Sequence, residues 1–156
     1  MRKYLGVLFL LCFLSSACLI STDRTTFLYH HLSEKPSETE IVGTWIPDSS
    51  TLNEMKTWRT FDSSKLPKLI FKENGHFEMI DTPNWWNVSE GFNSTKGKWK
   101  LSNSLSQIWR IDIDFDNLVT DIGLKKNNFS DQPKFIIFSF IGDPDSGNVM
   151  VFTKEK

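Results

Sequence analysis

From residue 41 to the end, apolar and polar side chains alternate with a period of two, and each run stops at Asn, Gly, Asp or Pro. Period two belongs to strands, because successive side chains point to opposite faces of a sheet. Eight runs fit, at 41–46, 68–72, 76–81, 95–101, 108–116, 118–125, 134–141 and 148–154. Eight suits closure of a small antiparallel barrel whose interior is filled by side chains or holds one small ligand. The expected fold is therefore all-β, an antiparallel up-and-down barrel of about eight strands.

Pairing register can be tested on the hairpins, since a slip of one residue moves every apolar side chain to the wrong face. A two-residue loop at Asn74-Gly75 would set Phe71 against Glu78 and Lys72 against Phe77. A three-residue loop, Glu73-Asn74-Gly75 with Gly75 left-handed, instead sets Phe71 against Phe77 and Leu69 against Met79, and this register is expected. Along 95–101, Lys96, Lys98 and Lys100 share one face, and along 108–116 so do Asp112, Asp114 and Asp116. Across a hairpin these form a solvent-side ladder of opposite charges. The three carboxylates do not make a calcium site, since Cβ atoms two apart on a strand do not converge and the lysines would repel the ion. One short helix is expected between the first two strands, where Thr51 and Glu54 fit a capping box and Leu52, Met55 and Trp58 form an apolar stripe ended by Pro67.

Gly43-Thr44-Trp45 on the first run resembles the Gly-x-Trp entry motif of lipocalin-like barrels. The similarity extends through the 69–71 to 74–77 hairpin and a second Gly-x-Trp at Gly97-Lys98-Trp99 to the terminal strand near Phe152. The resemblance implies a closed barrel with Gly43 and Trp45 as its structural motif, Trp45 sealing the closed end beneath the core. The chain departs from that family in having no Arg placed to pack over Trp45 and no long helix after its last strand.

The N-terminal residues carry a separate message. Arg2 and Lys3 precede the apolar residues 5–14, and Ser15-Ser16-Ala17 lead to Cys18, a pattern of charge, apolar core and small residues that makes a secretory signal. Its ending resembles the bacterial lipoprotein signal, which implies cleavage before Cys18 and lipid attachment to that cysteine. Cys12 leaves with the signal, so no intrachain disulfide can form. Three parts result: a signal peptide at 1–17, a lipidated Cys18 with a flexible tether at 18–40, and the barrel domain at 41–156. The tether has no sustained period, apart from an apolar cluster of Phe27, Leu28, Tyr29 and Leu32 that docks on the domain or starts a helix. His30 and His31 point apart and lack further ligands at metal spacing, so no metal is expected. Ile20 stands where an Asp commonly directs inner-membrane retention, which points to the outer membrane of a bacterial envelope.

The formal charge of −1 becomes −3 once Arg2 and Lys3 are removed. That balance, with its lysines dispersed, argues against a nucleic-acid partner and against a polybasic membrane patch. Catalysis is not expected either. The remaining histidine, His76, lies at a hairpin end without a nucleophile or metal-ligand cluster, and no cofactor is implied. The Gly142-Asp143-Pro144-Asp145 run lacks the later Glu of a calcium loop and reads as a turn.

The sequence thus points to a non-catalytic, lipid-anchored barrel that binds a small apolar or amphipathic ligand. Adjacent Trp85 and Trp86 cannot both face inward from an extended backbone and are expected at its mouth, with Phe71, Phe77, Trp99, Trp109, Phe138 and Phe140 lining or filling the interior. Against this stands the bulk of 13 Phe, two of them in the signal, and six Trp, enough to fill a barrel of this size. A filled interior would suit the alternative, an envelope protein-binding module such as an inhibitor, immunity factor or assembly accessory.

Overall fold

The computed structural model describes residues 29–32, 34–84, 91–103, 108–115, 118–127, 134–140 and 149–156. In chain order its elements are β1 (Tyr29–His31), α1 (Glu38–Ile41), β2 (Gly43–Pro47), α2 (Ser49–Met55), β3 (Lys68–Phe71), β4 (His76–Pro83), β5 (Phe92–Asn103), β6 (Trp109–Phe115), β7 (Leu118–Asn127), β8 (Phe135–Phe140) and β9 (Val149–Lys154). Each strand from β2 to β9 pairs antiparallel with the next, and β9 returns to β2 through Trp45↔Lys154 and Pro47↔Phe152. The eight strands close into an up-and-down barrel, consistent with a lipocalin-like fold, and closure removes the unpaired edges an open sheet would carry.

The registers follow the side-chain pattern. Leu69 lies opposite Met79 and Phe71 opposite Phe77, and Gly75 takes φ +73° in the turn between them. Lys98 faces Asp114 and Lys100 faces Asp112 across β5 and β6. Asp116 lies outside the described residues.

Packing against the barrel starts earlier than residue 41. β1 pairs with residues 125–127 of β7, while β6 pairs with the preceding residues of the same strand, so β1 extends the lane of β6 along one edge. Leu32 is buried in the core, and its carbonyl accepts the Trp109 amide at 3.5 Å. Of the two readings of the apolar cluster around Tyr29 and Leu32, Leu32 follows the docking one, while the strand itself was not expected because three residues are too short to leave a readable period.

The expected helix differs at its start, and α1 was not expected at all. The cap of α2 is Asp48, whose carboxylate accepts the Thr51 amide at 2.7 Å. Thr51 lies one turn inside, where its buried hydroxyl accepts the Val151 amide at 3.0 Å and joins the helix to β9. Asp and Thr both cap helices well, so the tertiary partner at Val151 decided between them. A capping box does occur on α1, where the Ser37 amide donates to the Glu40 carboxylate at 2.8 Å. That hydrogen bond, helped by Lys134 at 3.1 Å, holds the Glu40 carboxyl below its ordinary value of 4.5. A depressed folded-state pKa contributes stability above the unfolded value that is lost as pH falls through the folded one. We expect Glu40→Ala to destabilise the protein at pH 7, with the difference from the parent shrinking steadily as pH falls below about 4.5. Urea denaturation across pH 2–7 checks it, and a pH-independent difference would contradict this role for the carboxylate.

Candidate functional site

The barrel interior comes first, because a carrier needs space there. Alternation turns Phe71, Phe77, Trp99, Ile113, Leu124 and Phe152 inward, and all are buried in one core cluster. Phe71 and Trp99 meet edge to face at 5.5 Å, and Phe77 and Phe115 at 6.0 Å. At the end where β2 passes into α2, the helix drives Met55 into this cluster, and Leu52, Trp58 and Phe61 pack over it. Phe61 reaches Phe92 on β5 at 5.5 Å between ring centroids. Among the described residues this end of the barrel is closed by side chains from inside.

Trp45 closes the opposite end. Its indole N–H donates to the Ile41 carbonyl at 2.8 Å, and its ring stacks on Phe135 at 5.7 Å. Gly43, at φ +134°, leads the chain from α1 into β2. Lys154 on the last strand lies over the Trp45 ring at 5.9 Å and donates to the carbonyls of Glu40 at 2.9 Å and Thr39 at 3.4 Å. A cation therefore does pack over this tryptophan, supplied by a lysine. The sequence signal for it was faint, a single charged residue whose position in β9 falls on the inward set.

Among the described residues, a cleft lies on the outer wall. A cavity of about 550 Å³ is lined by Asn74, Gly75 and His76 at the β3–β4 turn, by Lys98, Trp99 and Lys100 of β5, by Asp112, Ile113 and Asp114 of β6, and by Val119 of β7. Its charged side chains are the outward ladder read from the sequence. Lys100 approaches Asp112 at 3.9 Å, while Arg110 holds the same carboxylate at 3.2 Å and approaches Asp121 at 3.8 Å. The Ser102 hydroxyl donates to Asp112 at 2.6 Å and accepts from Arg110 at 3.1 Å, so this end of the ladder is fixed by a side-chain network. Val119 adds an exposed apolar side chain at the rim. His76 is exposed, with its ring nitrogen 3.2 Å from the Asn74 carbonyl. Neighbouring Glu78 is held below its ordinary pKa by a 2.7 Å hydrogen bond from Lys72. The cleft offers alternating charges and one apolar edge, suited to a zwitterionic or amphipathic surface. Among the described residues no group of three or more His, Cys, Asp or Glu side chains is gathered as a metal site would need.

The residues expected to line the interior divide in two. Phe71, Phe77 and Trp99 are core filler, and Trp109 is partly buried beside that core, with Lys35 over its ring at 5.5 Å. Phe138 and Phe140 do not join them. Phe138 pairs with Gly123 and Phe140 with Val149, while the inward position between them is Ser139. Both phenylalanines therefore stand on the outside of the barrel, edge to face at 6.0 Å. The run Phe-Ile-Ile-Phe-Ser-Phe contains too little polarity to show which alternate set faces in, and only the pairing with β7 settles it. Trp85 and Trp86, Cys18 and the Gly142-Asp143-Pro144-Asp145 run lie outside the described residues. No protein-family model matches the chain, and no curated protein or solved structure matches it significantly.

Proposed function

We propose that this chain is a non-catalytic binding protein of the bacterial cell envelope, anchored through lipid on Cys18, that engages a protein partner by its outer wall and loops. The observation that carries this reading is the packed interior, with aromatic rings filling the middle and Met55 of α2 seated in one end. Among the described residues the interior is occupied by packed side chains, which favours recognition by surface groups. The outer cleft between His76 and Val119 supplies such groups, and the expected Trp85–Trp86 loop would supply anchors of the kind that dominate interfaces. A small apolar or amphipathic ligand is the second reading, favoured by the size of the cleft, which falls within the range that holds small molecules.

Native mass spectrometry of the protein purified from its own host separates the two. A co-purifying protein without a retained small molecule is expected, and a stoichiometric small molecule without a protein would overturn the preference. The anchor is tested separately. Cys18→Ser should move nearly all of the protein from the membrane fraction to the soluble one, and unchanged membrane retention would refute lipidation at this residue.

A further inference from the structure

The outside of the barrel has two unlike flanks. Across β5, β6 and β7 the outward residues include Lys98, Lys100, Asp112, Asp114 and Asp121. On β8 and β9 the outward set is mainly apolar: Ile136, Phe138 and Phe140 on one strand, and Val149 and Val151 followed by Thr153 on the other. Ile136, Phe138, Val149 and Val151 form a hydrophobic cluster separate from the interior core. An outward face should be wet, yet their exposures are 0%, 9%, 9% and 2%, against 39% for Phe140 at the margin. Among the described residues, the main neighbours of β8 and β9 are the strands beside them, β7 and β2, and α2 next to β9. Lys125 of β7 lies on the same face with its ammonium over the Phe138 ring at 4.6 Å, but strands flank a face from its sides and leave the remaining outward side chains to another partner.

We infer that this face is the docking surface for residues 18–28 of the same chain, with Phe27 and Leu28 seated on it. The segment enters at the right place. His31, Lys125 and Ile136 lie in one row across β1, β7 and β8, so β1 runs two strands, about 10 Å, from the apolar face. Running back from Tyr29, which pairs with Asn127, the chain leaves at the barrel end where β8 begins one strand away. Eleven residues reach at most about 35 Å, whereas the six residues of β8 span about 20 Å, so the segment is long enough to cross the face. Its composition fits as well, because Phe27 and Leu28 adjoin β1 directly and Leu19 and Ile20 come eight residues before them. Docking continues a contact already made, since Tyr29–His31 pair with β7 and Leu32 is in the core. The consequence is a short leash that holds the barrel close to Cys18. The inference itself does not depend on whether that cysteine carries lipid.

Thiol labelling tests it on protein extracted from its host in mild detergent, each rate taken above the parent's own background. Val149→Cys is expected to react with a water-soluble maleimide at least tenfold more slowly than Phe140→Cys. Adding Phe27→Ser and Leu28→Ser should raise the rate at position 149 tenfold or more, while an inward thiol from Met150→Cys stays slow. An unchanged rate at 149 overturns the inference. Equal acceleration at 149 and 150 also overturns it, because the segment would then be supporting the barrel rather than covering this face. Fast labelling of Val149→Cys in the detergent extract, with protection only in membranes, would give the face to the bilayer instead.

Discussion

Gly97→Ala is expected to cost about 3 kcal/mol, at the upper end of what overpacking usually does. Gly97 lies on β5 opposite Phe77, whose ring covers it. A Cβ placed there would fall on the Phe77 ring and on the backbone carbonyl oxygen of Asp114 in the adjacent strand. The ring could turn aside, but the carbonyl belongs to the β5–β6 ladder in the Lys98↔Asp114 register and cannot yield without breaking it. Gly91→Ala separates overlap from backbone strain, because Gly91 has φ +89° but nothing within 4 Å of a new Cβ. It should cost about 1–2 kcal/mol from conformation alone. Urea denaturation reads both as midpoint shifts at constant slope. A loss below about 1 kcal/mol at Gly97 would mean that β5 and β6 do not approach as closely as described.

The second large effect is at the closed end. Trp45→Ala should destabilise the barrel by about 4 kcal/mol, since truncation of a buried tryptophan leaves a cavity bounded by strands that cannot collapse. The residue does more than fill space, because its N–H satisfies the Ile41 carbonyl at the end of α1. Trp45→Phe keeps most of the apolar volume and removes that donor, and should cost about 1–3 kcal/mol, the penalty for an unsatisfied buried acceptor. Lys154→Met removes the cation above the ring and the donor to Glu40 and Thr39 while keeping the stem, and about 1 kcal/mol is expected. In a double-mutant cycle, Trp45→Phe and Lys154→Met should couple, because both hold α1 against β2. Strict additivity would show that the two contacts act on α1 independently.

Much of this barrel was legible in advance. All eight barrel strands were found within three residues of their expected ends, because most of them alternate and the runs are separated by turn formers. The Phe71↔Phe77 register could be chosen because the competing register would have mixed apolar with charged side chains. Where a run lacked contrast the reading failed, as at β8, whose near-continuous apolar residues fit either face. The cap of α2 was ambiguous for another reason: Asp48 and Thr51 are both good caps, and Thr51 was claimed by Val151, a hundred residues away. Similar logic hid Lys154, whose partners on α1 and β2 lie more than a hundred positions earlier.

Local chemistry alone fixed the turns, the left-handed Gly75 and the eight barrel strands, since each depends on neighbours within one hairpin. Tertiary structure decided how the inward side chains pack. Whether inward aromatics line a space or fill it depends on how eight strands and the Met55 plug meet in the middle, which is a property of volume and not of pattern. The same closure turned Phe138 and Phe140 outward and put β1 on the edge of β7, because the face of a strand is set by the partner it pairs with.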